Sequence, residues 1–163
     1  MSFPINSHID LTTSRIETTR CVLVPFSLDG RMDVQELTEE FCKANKDLFV
    51  SPFLPNYEQE LDYIKSSESK IEKWQEFENF VFDKYTMRFI GCGGIRILET
   101  GEPNIGIWIR VDEHSKWYAT EVYMALIDWA RTNVRYRHLR HALDPRNTAS
   151  RKLAIKFGGI LQQ

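Results

Sequence analysis

The sequence predicts a mixed α/β domain of the α+β type, with one mostly antiparallel sheet flanked by helices. Three observations carry this. Short β-prone runs between Phe80 and Ile109 follow one another through tight turns, as in a meander. Apolar residues recur at helical spacing on both sides of that meander. The length, 163 residues, suits one domain with a sizeable core.

The elements follow in order. Residues 1–16 are polar and lack a period, so a flexible N-terminal arm is expected, followed by a single domain over 17–163. Residues 20–26 form a β-prone run that proline ends. Asp29-Gly30 turns into a helix marked by Val34, Leu37 and Phe41, through about Lys43. Residues 49–55 are apolar and hold two prolines, which predicts a buried loop. Asn56 suits an N-cap. Tyr57, Leu61, Ile64, Ile71 and Trp74 mark a second helix, interrupted near Ser66-Ser67.

Residues 80–82 and 88–97 flank a turn at 83–86, and the glycines of the second run predict a bulge or a close backbone approach. No helix pattern follows those glycines, so they are not a phosphate loop. A second turn leads into residues 104–109, completing the meander. Ala119, Val122, Tyr123, Leu126, Ile127, Ala130 and Val134 show the most regular helical period in the chain. Residues 138–143 read as another strand, 149–157 as a last helix closed by Gly158-Gly159, and Ile160-Leu161 as the start of one more strand.

Composition excludes several classes. A net charge of −2 favours neither nucleic acid nor an anionic membrane. The arginines at 131, 135, 137 and 140 read as a solvated helix end and strand start. Cys21, Cys42 and Cys92 are odd in number and far apart, so they suggest reduced thiols in a cytoplasmic protein, with no disulfide framework and no metal site. There is no signal-peptide plan and no apolar run of membrane-spanning length.

Residues 108–121 hold the main functional signal. A short strand ends, a polar turn follows and a strong helix begins, an arrangement whose free amides and dipole favour an anion. Ile105-Gly106-Ile107-Trp108-Ile109, His114-Ser115-Lys116-Trp117-Tyr118-Ala119-Thr120-Glu121, Asp144-Pro145-Arg146-Asn147-Thr148-Ala149-Ser150 and Lys156-Phe157-Gly158-Gly159 together resemble the GNAT N-acetyltransferases. With residues 19–26, Phe89-Ile90-Gly91 and Gly94, they are most similar to the branch that acetylates N-terminal amines of ribosomal proteins, the RimJ/RimL type.

The resemblance implies two parallel strands, 105–111 and 138–143, splayed around acetyl-CoA. The pantetheine arm would pair with the backbone edge at Ile109, Arg110 and Val111. The pyrophosphate would sit on the amides of Ser115, Lys116, Trp117, Tyr118, Ala119 and Thr120. Asn147 would hold the cofactor arm or an adjacent backbone group, besides being a good N-cap. Ser150 would give a proton or hydrogen bond to the departing thiolate. His114 stands where the family has Arg or Gln, and Ser115 and Trp117 stand where it has glycine. The indole either blocks the loop or swings outward and leaves the amides usable.

The family's frequent base, a Glu, is replaced by Asn104. Glu102, His141, Asp144 and a water relay are the alternatives. Tyr118, Trp74, Tyr57 and Phe53 are candidate linings for the acceptor. The implied activity is acetyl transfer from acetyl-CoA to a primary amine, a protein N-terminus or a small molecule, by direct attack and without a metal. The alternative is a non-catalytic GNAT-like domain that binds CoA or a protein. Trp117 motivates it, as does a sequence that stops at Gln163, ahead of the family's final strand. Strand exchange in a homodimer would cover the edge so exposed.

Overall fold

The sheet is built on two long strands, β3 (Glu76–Asp83) and β4 (Phe89–Arg96), each buried on both faces over nearly its whole length. β1 (Ile16–Glu17), β2 (Cys21–Pro25) and β5 (Asn104–Ile109) complete five antiparallel strands in the order β1-β2-β3-β4-β5. The helices are α1 (Val34–Leu48), α2 (Tyr57–Glu72), α3 (Tyr118–Asn133) and α4 (Thr148–Lys156). The computed structural model describes residues 5–162.

Local chemistry explains the helix starts. The Asp33 carboxylate accepts from the Gln35 and Glu36 amides, and Asn56 and Gln59 form a reciprocal capping box. α2 runs unbroken through Ser66-Ser67, contrary to the sequence expectation. Ser67 is buried on the same face as Ile64 and Ile71, so a small polar residue continues the packed stripe. Trp74 lies beyond the helix, stacked 6.1 Å from Trp129 of α3.

α3 covers one face of the sheet. A Cβ on Gly93 would lie 3.0–3.2 Å from Ile107, Val122 and Leu126 side chains, so the glycine lets α3 approach. α1 and α2 cover the other face, where Phe41 meets Trp108 at 5.3 Å and Phe26 stacks on Phe80 at 4.4 Å. The predicted irregularity is present: the β3–β4 register shifts between Val81 and Phe82.

Three local expectations are corrected, at residues 49–55, 138–143 and 160–161. In the arm, residues 5–16 are mostly exposed but carry a few anchors. Asp10 caps a short turn, Leu11 is 2% exposed, the Asn6 side chain bonds Asn133, and β1 pairs with β2. Single anchors spaced this widely leave no period to read. Residues 1–4 of that arm, and Gln163, lie outside the described residues. The loop at 49–55 is largely open, with Phe53 76% exposed. Residues 138–143 make only one parallel bridge, Asn104 to Arg140. Ile160 and Leu161 are exposed and unpaired with the sheet.

Candidate active site

The register of β5 decides where the sheet is open. Arg110 N–H donates to Ile90 O at 2.9 Å, so the even residues of β5 face β4. The odd residues Ile105, Ile107 and Ile109 face the other way. Ile105 N–H donates to Arg140 O at 2.8 Å, and Arg140 N–H to Pro103 O at 2.8 Å. Past that point the two lines part. Among the described residues, the N–H and C=O of Ile107 and the N–H of Ile109 have no backbone partner. A cleft of about 620 Å³ fills the gap, with Gly106, Ile107 and Trp108 on one wall and His141, Asp144, Asn147 and Ser150 on the other.

The loop after β5 supplies a run of amides. Ser115 and Trp117 both adopt left-handed backbone, at φ 63° and 67°. These are the two positions where the resemblance implies glycine, and the conformation costs each non-glycine residue roughly 1–2 kcal/mol. Alternating handedness of this kind turns successive N–H groups toward one concavity. Among the described residues, the N–H groups of Ser115, Lys116, Trp117, Tyr118, Ala119 and Thr120 have no hydrogen-bond partner, and no side chain caps α3. The Trp117 indole is 70% exposed and lies under the Lys156 ammonium, 4.8 Å from the ring centroid. It therefore points outward. Arg20 steadies the loop by donating to Lys116 O at 2.9 Å and stacking over Tyr118 at 4.2 Å. Lys116 is tied to Glu113 at 2.9 Å.

Two of the three expected edge residues are placed differently. Arg110 directs its backbone to β4, and its buried guanidinium meets Glu36, Glu40 and Asp112. Val111 opens a short turn, and its carbonyl accepts from His114 N–H. Ile109 is on the open edge, with its carbonyl 2.7 Å from His114 Nε2. That bond gives the residue replacing the family's Arg or Gln a visible local task.

Ser150 and Asn147 come together at the start of α4. The Asn147 side-chain oxygen accepts from Ser150 N–H at 3.0 Å, as an N-cap, and both residues line the cleft. Of the expected acceptor-lining aromatics, only Phe53 lines it. Tyr118 lies under Arg20, Trp74 is stacked on Trp129, and Tyr57 opens α2 outside the cleft wall.

The base candidates sort by their partners. Glu102 is held by Arg140 and Arg137. Asp144 is bound by Arg146, whose hydrogen bonds pull its carboxyl down to about 2. Asn104 does not titrate and pairs in the sheet. His141 lies on the cleft wall with Nδ1 3.1 Å from the Tyr123 hydroxyl, and burial lowers its pKa, which keeps the ring neutral.

A further carboxylate, missed from the sequence, faces the cleft. Glu78 on β3 is 7% exposed, and burial, partly offset by Arg96 at 3.3 Å, raises its carboxyl to about 7. The signal was present: Glu76 and Glu78 alternate with Phe77 ahead of Phe80. Charged residues inside a buried strand disguised its first half.

A sheet that opens beside a helix with a free amide crown defines a fold for an extended, anionic acyl carrier. The model of the Acetyltransferase (GNAT) domain matches residues 20–160, and the chain belongs to that family. Solved structures agree in fold. An acetyltransferase from Agrobacterium tumefaciens is 19% identical, with 91% of this chain and 85% of that one covered and a TM-score of 0.74. A Salmonella typhimurium acetyl transferase, described as modifying the N-terminal serine of ribosomal protein L7/L12, is 16% identical over 88% and 83%, with a TM-score of 0.73. The Microcin C7 self-immunity acetyltransferase MccE, in complex with acetyl-CoA and AMP, is 16% identical over 91% and 85%, at 0.71. No curated protein sequence matches. Among the described residues, no group of His, Cys, Asp and Glu could hold a metal, and no helix is long and apolar enough to cross a membrane.

Proposed function

We propose that this domain binds acetyl-CoA along the open edge of β5 and transfers its acetyl group to a primary amine by direct attack. The observation that carries this reading is the run of six unbonded amides from Ser115 to Thr120, directly beside that edge. Unpaired amides are costly unless water or an anion meets them, and a pyrophosphate meets several at once. Ile107 and Ile109 supply the polar groups that an amide-rich arm can pair with as a strand does. The outward indole of Trp117 leaves the loop usable, which removes the chief motive for a non-catalytic domain.

Catalysis follows from placement. The amine and the thioester are held together in the cleft, which lowers the entropic cost of their meeting. Ile107 N–H, unpaired on the cleft wall, suits the oxyanion of the tetrahedral intermediate. Ser150 supplies a proton or hydrogen bond to the leaving sulfur, and Asn147 fixes the backbone that carries it. The acceptor tested first is a peptide α-amine, because the Salmonella neighbour modifies an N-terminal serine. Three free cysteines suit a reducing cytoplasm. A homodimer would double the mass read by light scattering.

Calorimetry with acetyl-CoA tests the reading. Saturable binding, followed by CoA release that depends on added amine, is expected. No heat of binding at millimolar acetyl-CoA overturns it, and binding without acetylation of a broad amine and peptide panel favours the non-catalytic alternative.

A further inference from the structure

Glu78, Gly94 and Gly106 lie in one row across the sheet, paired strand to strand in register. All three are on the face covered by α1 and α2. A Cβ on Gly94 would come within 2.8 Å of Glu78 Oε2, so the carboxylate lies over that glycine. A Cβ on Gly106 would come within 3.0 Å of Arg96 Nη2, so the guanidinium lies over the second. The two glycines thus clear a polar trough from β3 toward the open edge of β5. Glu78, Arg96, Gly106 and Ile107 all line the same cleft as Ser150. Neighbouring strands are about 4.8 Å apart, so a carboxylate reaching over Gly94 covers much of the distance to β5. An amine, or one water between, spans the rest.

Resting on the acetyltransferase reading, we infer that Glu78 is the general base, taking a proton from the acceptor ammonium across the trough cleared by Gly94 and Gly106. The freed nitrogen lone pair forms the C–N bond at the thioester carbonyl carbon. The tetrahedral intermediate collapses, the C–S bond breaks, and its electron pair goes to sulfur. The second ammonium proton ends on that sulfur by way of Ser150 or solvent, and the proton on Glu78 passes to solvent. The sum is amide, CoA thiol and one released proton.

The surroundings suit this task. The groups around Glu78 are Tyr63, Glu60 and Lys70 from α2, Glu76 on β3, and Cys92 and Arg96 on β4, with His141 across the cleft. Burial of the carboxylate and the nearby Glu76 charge favour the protonated form, while Arg96 and Lys70 oppose them. A base poised near neutrality both accepts a proton and releases it within the cycle. The other candidates are placed less well: Glu102 pairs with Arg137 and Arg140 away from the cleft lining, Asp144 is held low by Arg146, Asn104 does not titrate, and the His141 ring is engaged with the Tyr123 hydroxyl.

The test compares wild type, Glu78→Gln and Glu78→Asp. Acetyl-CoA affinity is measured by calorimetry, and turnover by thiol release with free-N-terminus peptides and with alkylamines. Glu78→Gln is expected to keep its acetyl-CoA Kd within about threefold and to lose about 10²–10³ in kcat. Its kcat/KM profile should lose an acidic limb that lies near neutrality in wild type. That limb should stay in place between peptide α-amines and alkylamines, whose own pKa values differ by about two units. Glu78→Asp should recover part of the rate. A Glu78→Gln enzyme within threefold of wild-type kcat, or a wild-type limb that follows the acceptor's own pKa, overturns the inference. The second readout needs no variant, so it stands even if Glu78→Gln fails to fold. Absence of acetyl-CoA binding by wild type instead overturns the acetyltransferase reading itself.

Discussion

Trp117 occupies a left-handed position at the threshold of α3 and contributes its amide, while its ring turns outward to Lys156. Replacing it with glycine relieves roughly 1–2 kcal/mol of backbone cost. It also adds freedom to the unfolded chain and removes a cation–π contact of about 0.5–1 kcal/mol. These effects oppose one another. Trp117→Gly is therefore expected to change the acetyl-CoA Kd less than about threefold by calorimetry and to leave Tm nearly unchanged; a tenfold gain in affinity would mean that the indole obstructs. Ser150→Ala separates chemistry from binding. Its backbone N–H still bonds Asn147. We expect kcat to fall about 10- to 100-fold with acetyl-CoA affinity retained; unchanged turnover removes Ser150 from the mechanism. His114 shows what single residues hide. Its sequence position marked a departure from the family, while its bond to Ile109 O is visible only in the fold.

At the scale of elements, β4 is held by close contacts that glycine alone permits. A Cβ on Gly94 would sit 2.5 Å from Phe77 O and 2.7 Å from Glu78 Cα. Both are backbone atoms that cannot yield. Gly94→Ala should therefore destabilise by about 1–3 kcal/mol or more and push the Glu78 carboxylate out of the trough. Urea unfolding and turnover together check this: the urea midpoint and kcat should both fall, and an unchanged midpoint counts against the packing argument. The sequence showed these glycines as a bulge or close approach, and both features are present. α2 was legible through its Asn56 cap and apolar stripe, and α3 through its period. The first half of β3 was not, because Glu76 and Glu78 break the apolar run while being buried by tertiary packing. Residues 138–143 have the composition of a full strand but make one bridge, because β-prone composition does not report where a pairing ends.

The whole molecule carries opposing pH dependences. The Asp29, Asp83, Asp112 and Asp144 carboxyls are all held below their ordinary value by hydrogen bonds from arginine or backbone. Their stabilisation is present above about pH 4 and lost as pH falls through the lowered values. Glu78 acts with the other sign. Its carboxyl is raised from 4.5 to about 7, so the native state holds a proton that the unfolded chain has lost. Its contribution is complete below 4.5 and disappears as pH rises to about 7. Wild type should thus lose stability between pH 5 and pH 8 on the order of a few kcal/mol more than Glu78→Gln does. Denaturant midpoints of both proteins at the two pH values read the difference, and equal slopes would place the Glu78 carboxyl at an ordinary value.

The sequence by itself determined the central meander, the four helices, the polar turn before α3, the N-cap at Asn147 and the family resemblance. These are local properties: periodicity, caps and short motifs leave their mark on neighbouring residues. Only the tertiary structure decided which way Trp117 turns, which backbone groups of β5 stay unpaired among the described residues, and which carboxylates line the cleft. Each of these depends on partners far away in the chain. Arg140 closes the sheet beside Ile105 and then diverges, Lys156 holds the indole outward, and Arg96 with two glycines places Glu78 in the cleft. Register, burial and charge pairing are non-local, so local sequence left open the orientation of the Trp117 indole, which the contact with Lys156 fixes.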